Sequence, residues 1–289
     1  MILSPAERGY LYDSLVQVPP IRPDSRNPHQ FRPLEAKTGF LPGSNGSARI
    51  RLMDGSECIV SVKSKVVVTA EHSNLVQCDV DISGFRDDSN FVCNIKFGLT
   101  NLLHQNFPTE YLRLTSKYSF KLFIDCIVIS HSSYPLGLLS LTCYLALKTT
   151  RLPLLVSDAH DEEIAELPTF SDDWDNSKLI QDYLKPGEVF QPPIFVTLGA
   201  IGDNLIFDPS TEEEQVLENS IIITYYNGKV ITPITNMNLA TNSNSSNIKG
   251  LNQSLIIKGI SLGNKYCGAI IKALDNLIEA DKDSGDSIF

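Results

Sequence analysis

The chain has 289 residues, of which 42% are hydrophobic and 20% charged, enough apolar material for one large domain or two smaller ones. Its 24 Lys and Arg residues against 34 Asp and Glu residues give a formal net charge of −10, which argues against an independent nucleic-acid-binding protein. The N-terminus lacks the regions of a signal peptide, and no apolar run approaches the ~18 residues of a membrane span. The six cysteines are dispersed without a CxxC pair, which predicts reduced thiols in place of disulfides or a metal site.

The net negative charge arises from two segments. Residues 158–188 contain ten acidic residues and two lysines, and residues 275–289 contain five acidic residues and one lysine. The remainder of the chain therefore has a slight excess of positive charge. Because dense acidic runs are typical of solvated segments, we predict an acidic surface insert at 158–188, with an electrostatic partner site as the alternative.

The chain begins with the pattern of a helix followed by strands. A capping box with proline at the first helical position starts a helix at Ser4, and Pro19-Pro20 ends it. A tight hairpin is predicted at Asp54-Gly55. The predicted strands around it are 48–53, 58–68 and 75–82.

Two helices and a long strand complete the first half. Helical spacing of apolar residues follows Asp87-Asp88 and predicts a helix through Leu103. The nearly continuous apolar run at 119–130 predicts a strand buried on both faces. Residues 135–147 are apolar all round, which predicts a buried helix.

The second half repeats the order of strands and then a helix. Its predicted strands are 194–200, 204–207, 220–226 and 230–234, with a hairpin turn at Asn227-Gly228. Residues 241–250 contain an Asn/Ser-rich run and are predicted to be a flexible loop. A final helix follows, with one apolar stripe made of Ile256, Ile260, Cys267, Ile270, Leu274 and Leu277, and residues 281–289 are predicted to be a disordered tail. This order indicates an α+β chain with a possible internal duplication.

Short catalytic motifs give little support for an enzyme. The GxSxG pattern around Ser261 lies on helical periodicity, and all five histidines precede it, whereas a nucleophile elbow needs its histidine later in the chain. The acidic run from Asp208 to Glu214 follows a predicted strand and is the one candidate for Mg²⁺ binding or general acid catalysis. Its alternative interpretation is a structural turn at the end of a strand.

Longer blocks of sequence carry a family resemblance. They are residues 10–15 (YLYDSL), 21–26 (IRPDSR), 28–33 (PHQFRP), 45–47 (NGS), 54–61 (DGSECIVS), 79–84 (DVDISG), 117–121 (KYSFK) and 166–170 (ELPTF). In these blocks the chain resembles the RNase PH family and, within it, the non-catalytic ring subunits of the eukaryotic RNA exosome. The resemblance implies an α+β, RNase PH-like fold (ribosomal protein S5 domain 2-like) with two βαβα-type halves. It further implies an N-terminal helix and arm at 1–33 and a single domain at 34–280.

The same resemblance implies a degenerate catalytic site. Active members hold phosphate on a Gly-Thr-Arg turn, and the matching turn here reads Ser132, Ser133 and Tyr134, so the arginine is replaced by a neutral phenol. Active members also place two aspartates six residues apart. Asp208 matches the first and Glu214 the second. We therefore expect a subunit without catalytic activity and without a cofactor.

The resemblance also implies partners and a location. The partners would be other RNase PH-like exosome subunits, in a heterodimer and then a hexameric ring, together with S1/KH cap proteins, an RNase II-class nuclease and RNA passing through the channel. The location would be the nucleus, nucleolus and cytoplasm. Candidate residues along the RNA path are Lys63, Lys65, Arg86, Arg113 and Lys117. Arg22, Arg26 and Arg32 are further positive charges expected near loops.

Two other functions are consistent with the sequence. One is an active phosphorolytic 3′-to-5′ exoribonuclease that uses Asp208 and Glu214. The other is an α+β interaction protein unrelated to RNA. Phosphate-dependent release of nucleoside diphosphates would identify the first, and copurification with exosome subunits would exclude the second.

Overall fold

The structure, a computed structural model, describes residues 3–72, 74–115, 117–156, 168–184, 187–237 and 250–285. Its helices are α1 (Pro5–Val16), α2 (Asn90–Asn106), α3 (Leu136–Lys148), α4 (Thr211–Glu214) and α5 (Gln253–Gly285). Its strands are β1 (Leu34–Thr38), β2 (Gly46–Leu52), β3 (Glu57–Val68), β4 (Val76–Ile82), β5 (Tyr118–Ser130), β6 (Arg151–Leu152), β7 (Lys178–Leu179), β8 (Ile194–Ile201), β9 (Asn204–Phe207), β10 (Asn219–Tyr226) and β11 (Lys229–Met237). The predicted α+β order is confirmed.

Strands β1 to β5 form the first sheet of the described chain, in the order β1-β2-β3-β5-β4. All neighbours are antiparallel except β4 and β5, which run parallel. The hairpin predicted at Asp54-Gly55 joins β2 to β3, and Gly55 has the positive φ of +85° that such a turn requires. Strand β1 was not predicted, because its sequence LEAKT is short and mostly half-buried or exposed.

The prediction that β5 is buried on both faces is wrong. Residues on one face, such as Ile124 and Val128, are fully buried under α3, but Ile127 and Ile129 on the other face are 46% and 44% exposed. A continuous apolar run is typical of a strand covered on two sides. Here the first sheet has helical cover on one side, and its other face stays open.

Helix α3 is the central element of the fold. It packs against β2, β3 and β5 of the first sheet and against β8 of the second. Eleven of its thirteen residues are buried, as its all-round apolar sequence predicted. Helix α2 packs against β4 with Ile95, Leu99 and Leu103 buried, which confirms the predicted helix.

Strands β8 to β11 form the second sheet, in the order β11-β10-β8-β9, with antiparallel neighbours. Helix α5 covers one face, and α1 contributes Leu11 and Leu15 to a small apolar cluster on the other. The turn at Asn227-Gly228 has positive φ at both residues, as expected for the predicted hairpin. The buried stripe of α5 is shifted from the predicted one. It consists of Gly259, Gly263, Cys267, Ile271, Leu274 and Ile278.

Parts of the segments predicted to be solvated or flexible lie within the described residues. Strand β7 pairs with β6, Ile180 is buried, and the ring of Phe170 lies 5.5 Å from that of Phe120. Within the acidic insert, Phe170 therefore packs against β5 of the first sheet and Ile180 is buried, whereas residues 172–176 are exposed. Residues 157–167 and 241–249 lie outside the described part. Helix α5 continues to residue 285, so residues 281–285 of the predicted tail are helical.

Candidate functional site

The residues that the resemblance assigned to a degenerate site lie together between the two sheets. Ser132, Ser133 and Tyr134 form the turn from β5 into α3, whereas Asp208 follows β9 and Glu214 is the last residue of α4. The turn before α3 and the segment from Asp208 to Glu214 lie close together because α3 packs against both sheets. The backbone N–H of Tyr134 donates a hydrogen bond of 2.8 Å to Oε1 of Glu214. The backbone amide of Tyr134, just before Pro135 and α3, is therefore hydrogen-bonded to a carboxyl group of the chain itself.

Glu214 is a buried carboxyl group with a perturbed pKa. Its exposed fraction is 9%. Burial raises its pKa to about 8, and the hydrogen bond from Tyr134 and the charge of Arg32 offset only part of this effect. Burial likewise raises the pKa of the Tyr134 phenol well above its usual value. Both side chains are therefore largely neutral at pH 7.

Asp208 is held by arginines. Arg32 donates from Nη2 to Oδ1 at 2.5 Å and from Nε to Oδ2 at 2.9 Å, and Arg26 donates from Nη1 to Oδ2 at 3.2 Å. The backbone N–H of Arg32 adds a further bond of 2.9 Å to Oδ2. Burial on its own raises the pKa of Asp208, but the hydrogen bonds and charge of Arg32 outweigh it and hold the pKa below its usual value. This carboxylate is ionised and already satisfied by cationic donors.

Arg22 and Glu213 form a second, completely buried ion pair beside Asp208. Nε and Nη2 of Arg22 each donate to one oxygen of Glu213 at 2.7 Å, and both side chains are 0% exposed. Arg22 also donates to the carbonyl groups of Phe207 and Asp208 at 3.0 Å. We name the group of Arg22, Arg26, Arg32, Asp208 and Glu213 the ion cluster.

The ion cluster corrects the expectation for the three arginines. Arg22, Arg26 and Arg32 were expected as positive charges near loops, but Arg22 and Arg26 are buried, with 3% and 8% of the whole residue exposed. Their guanidinium groups bind the chain's own carboxylates, so they are not available to RNA. Glu213 was not singled out from the sequence. A capping box at Ser210 and Glu213 was its one local signal, and it indicates a helix start, not an ion pair.

The space at this site is small. Tyr134, Asp208, Glu214 and Arg32 line a cavity of about 30 Å³, shared with apolar side chains of α3 and β2. A cavity of this size holds about one water molecule. Within the described residues, the Tyr134 hydroxyl has no hydrogen-bond partner and is buried.

The structure separates the RNA-path candidates into two groups. Lys63 and Lys65 are exposed on the open face of β3, and Arg113 and Lys117 lie at the start of β5, the same end of the sheet. Arg86 follows the far end of β4 and pairs with Asp88 at 3.0 Å. Lys121 on β5, which the sequence did not single out, lies directly opposite Lys65.

The GxSxG pattern and the cysteines noted in the sequence form no further functional site in the described residues. Ser261 is an exposed residue of α5, so the GxSxG pattern is part of a helix. The six cysteines carry free thiols. No group of side chains in the described ranges has the arrangement of a metal site. None of the helices that the structure describes is both long and apolar enough to span a membrane.

Comparison with known proteins agrees with this fold. Residues 30–153 match the 3′ exoribonuclease family, domain 1, and residues 191–247 match its domain 2. The chain therefore belongs to the RNase PH family. It is 45% identical over 279 residues to a Saccharomyces cerevisiae protein named exosome complex component RRP42, covering 96% of this chain and 100% of that protein. It is 30% identical over 235 residues to the Schizosaccharomyces pombe exosome complex component rrp42, covering 75% and 76% of the two chains.

Solved structures share the fold at low sequence identity. An archaeal exosome core structure superimposes with a TM-score of 0.67 at 17% identity, covering 93% of this chain and 96% of that one. A chain of the Archaeoglobus fulgidus exosome with RNA bound to its active site gives a TM-score of 0.66 at 17% identity, covering 93% and 97%. The RNase PH-like fold that the resemblance implied is confirmed.

Proposed function

We propose that this chain is a non-catalytic structural subunit of the RNA exosome core ring, where it supports 3′-to-5′ RNA processing and degradation. The observation that carries the proposal is the 45% identity over 96% of the chain to the yeast exosome component RRP42. The fold shared with archaeal exosome core chains supports it. In this proposal, the chain contributes surfaces to a ring and not a reaction centre.

The geometry of the degenerate site supports the absence of catalysis. Phosphoryl transfer needs a positioned phosphate and a free acidic group. Tyr134 supplies no positive charge, its amide is bonded to Glu214, and Asp208 is bound by Arg32 and Arg26. An active phosphorolytic enzyme using Asp208 and Glu214 is therefore disfavoured.

We expect no phosphorolysis by the purified chain, alone or with a ring partner. The measurement is release of nucleoside diphosphates from a single-stranded RNA in phosphate buffer, with an active RNase PH enzyme as the positive control. Phosphate-dependent release that disappears in Asp208→Asn would contradict the proposal. Asparagine is chosen because it preserves the size and shape of the side chain, whereas alanine would also leave a cavity beside Arg32 and Arg26; both substitutions remove the negative charge that these arginines bind.

The partners that we propose are other RNase PH-like subunits, S1/KH cap proteins and an RNase II-class nuclease, with RNA in the channel. Nucleus, nucleolus and cytoplasm are the proposed locations. The proposed RNA path includes Lys63, Lys65, Arg113 and Lys117. Arg86 was a candidate of the same kind, but its exposed ion pair with Asp88 and its place at the far end of β4 make it a weaker one.

We expect coexpression with an RNase PH-like ring subunit to yield a stable heterodimer. A partner that binds only the folded chain raises its melting temperature by mass action. The lone chain is expected to be poorly soluble, because apolar side chains such as Ile127 and Ile129 are exposed on the open sheet face. Melting temperatures with and without each ring subunit test this. A monodisperse, stable monomer whose melting temperature stays the same when each ring subunit is added would refute the role in the ring.

A further inference from the structure

Two buried hydroxyl groups at the degenerate site have no hydrogen-bond partner. In the described part of the chain, this is true of the Oη atom of Tyr134 and of the Oγ1 atom of Thr197. Thr197 lies in the middle of β8 and is 8% exposed. A buried hydroxyl without a partner loses the hydrogen bonds that it makes with water in the unfolded chain, so native structures rarely leave one unpaired.

Both residues line the same cavity, the one of about 30 Å³ at the degenerate site. Gly137 of α3 belongs to its wall, and a Cβ atom at Gly137 would lie 3.7 Å from Oγ1 of Thr197, so this hydroxyl faces the start of α3. A cavity of about 10–15 Å³ or more holds a water molecule when its wall is polar, whereas an apolar cavity stays empty.

Glu214 gives the cavity a third polar group. Its Oε1 atom accepts from the N–H of Tyr134 at 2.8 Å, the one hydrogen bond that the described residues give to this carboxyl group. Because burial raises the pKa of Glu214 to about 8, the carboxyl group carries a proton at neutral pH, and that proton needs an acceptor. Three polar partners are the usual number for a buried water molecule.

The wall of the cavity has no net charge. Arg32 and Asp208 line it as an ion pair, joined by hydrogen bonds of 2.5 and 2.9 Å, and the remaining polar groups are neutral. A buried anion would meet the carboxylate of Asp208, and a buried cation would meet the guanidinium group of Arg32. Since a buried ion needs an unpaired opposite charge, the wall favours a neutral ligand that both donates and accepts hydrogen bonds.

We propose that this cavity binds one ordered water molecule, which is hydrogen-bonded to the hydroxyl groups of Tyr134 and Thr197 and to the carboxyl group of Glu214. Tyr134 precedes α3, Thr197 belongs to β8 and Glu214 ends α4. The water molecule therefore connects the start of the central helix to the second sheet. It is a structural component of the degenerate site, and its presence does not depend on the proposed role in the ring.

Thr197→Val distinguishes a hydrated cavity from an empty one by the direction of its effect on stability. Valine keeps the shape of threonine and removes only the hydroxyl group. Because the variant removes one hydrogen bond of the water molecule, we expect the melting temperature of the full-length chain, copurified with its ring partner, to fall by about 2–4 °C. If the hydroxyl were unpartnered, its removal would raise the melting temperature.

Thr224→Val is the matched control. Thr224 lies on the neighbouring strand β10, is 1% exposed and also has a hydroxyl without a partner in the described residues, but it is not among the residues that line this cavity. We expect its replacement to raise the melting temperature. Tyr134→Phe combined with Thr197→Val is expected to lower it by less than the sum of the two single effects, because both remove partners of one water molecule.

A high-resolution crystal structure of the same complex tests the position directly. We expect one density peak about 2.5–3.0 Å from both hydroxyl oxygen atoms. An empty cavity, a higher melting temperature for Thr197→Val, or an equal fall for Thr224→Val would each overturn the proposal. An anomalous peak at this position after exchange of chloride for bromide would also overturn it, because the ligand would then be an anion.

Discussion

Arg22→Ala is expected to lower the free energy of unfolding by about 3–5 kcal/mol, the range for removing one partner of a buried ion pair. The side chains of Arg22 and Glu213 are completely buried, and Nε and Nη2 of the guanidinium group each donate to Glu213 at 2.7 Å. Without Arg22, Glu213 keeps its burial and loses its main cationic donor, with only Arg26 remaining at 3.7 Å. Chemical denaturation of the wild type and the variant, each copurified with the ring partner, measures the loss.

Two comparisons separate this effect from a general effect of arginine removal. Arg86→Ala breaks an ion pair whose arginine is 86% exposed, and we expect a loss below about 0.5 kcal/mol. The double variant Arg22→Met with Glu213→Leu removes both charges and fills the same space, so it is expected to recover much of the stability. A loss in Arg22→Ala no larger than that in Arg86→Ala would contradict our description of the ion cluster.

Glu214→Gln is expected to stabilise the protein above pH 8 by about 3–5 kcal/mol, an order-of-magnitude value for a pKa shift of this size. Burial raises the pKa of Glu214 from 4.5 to about 8 in the folded state. A group with a raised folded pKa contributes stability below its unfolded pKa, and this contribution is lost as the pH rises through the folded pKa. The wild type should therefore lose stability between about pH 4.5 and pH 8 relative to the variant.

The measurement is the free energy of unfolding of both proteins at several pH values. Glutamine keeps the Oε1 acceptor for the Tyr134 amide, so the hydrogen bond seen at 2.8 Å is retained. Glu212→Gln is the matched control, because Glu212 is an exposed residue of the same helix. Parallel pH profiles for the wild type and Glu214→Gln would show that Glu214 is not the buried acid described here.

Local signals in the sequence predicted the elements whose causes are local. The capping box at Ser4 starts α1, and glycine at Gly55 and Gly228 supplies the positive φ of two hairpin turns. The burial of β5 was mispredicted because it depends on which face α3 covers, and this is a property of tertiary packing. Strand β1 alternates between half-buried and exposed residues, but over five positions that include Glu, Ala and Lys, which are poor strand formers, so its pairing with β2 decides its structure.

The ion cluster was beyond prediction from residue patterns for a different reason. Arg22 and Glu213 are 191 positions apart, and Arg32 and Asp208 are 176 apart, so no spacing rule connects them. The acidic run from Asp208 to Glu214 was a candidate from the sequence itself, but only the family resemblance connected it with Tyr134. What the resemblance did not reveal is that arginines of the chain's own N-terminal arm bind Asp208.

The long sequence separation within the ion cluster has a consequence for synthesis of the chain. The ribosome makes the segment with Arg22, Arg26 and Arg32 first, and Asp208 and Glu213, which bind these arginines in the folded protein, emerge only after most of the protein has been translated. The strands and helices of residues 34–148 pair among themselves and precede that point. The first sheet is therefore able to form during translation, before Asp208 and Glu213 are available to bind Arg22, Arg26 and Arg32. A chain that stops before residue 208 would lack the buried carboxylate partner of Arg22, whereas Arg26 and Arg32 would keep Asp24 and Asp54 as ion-pair partners.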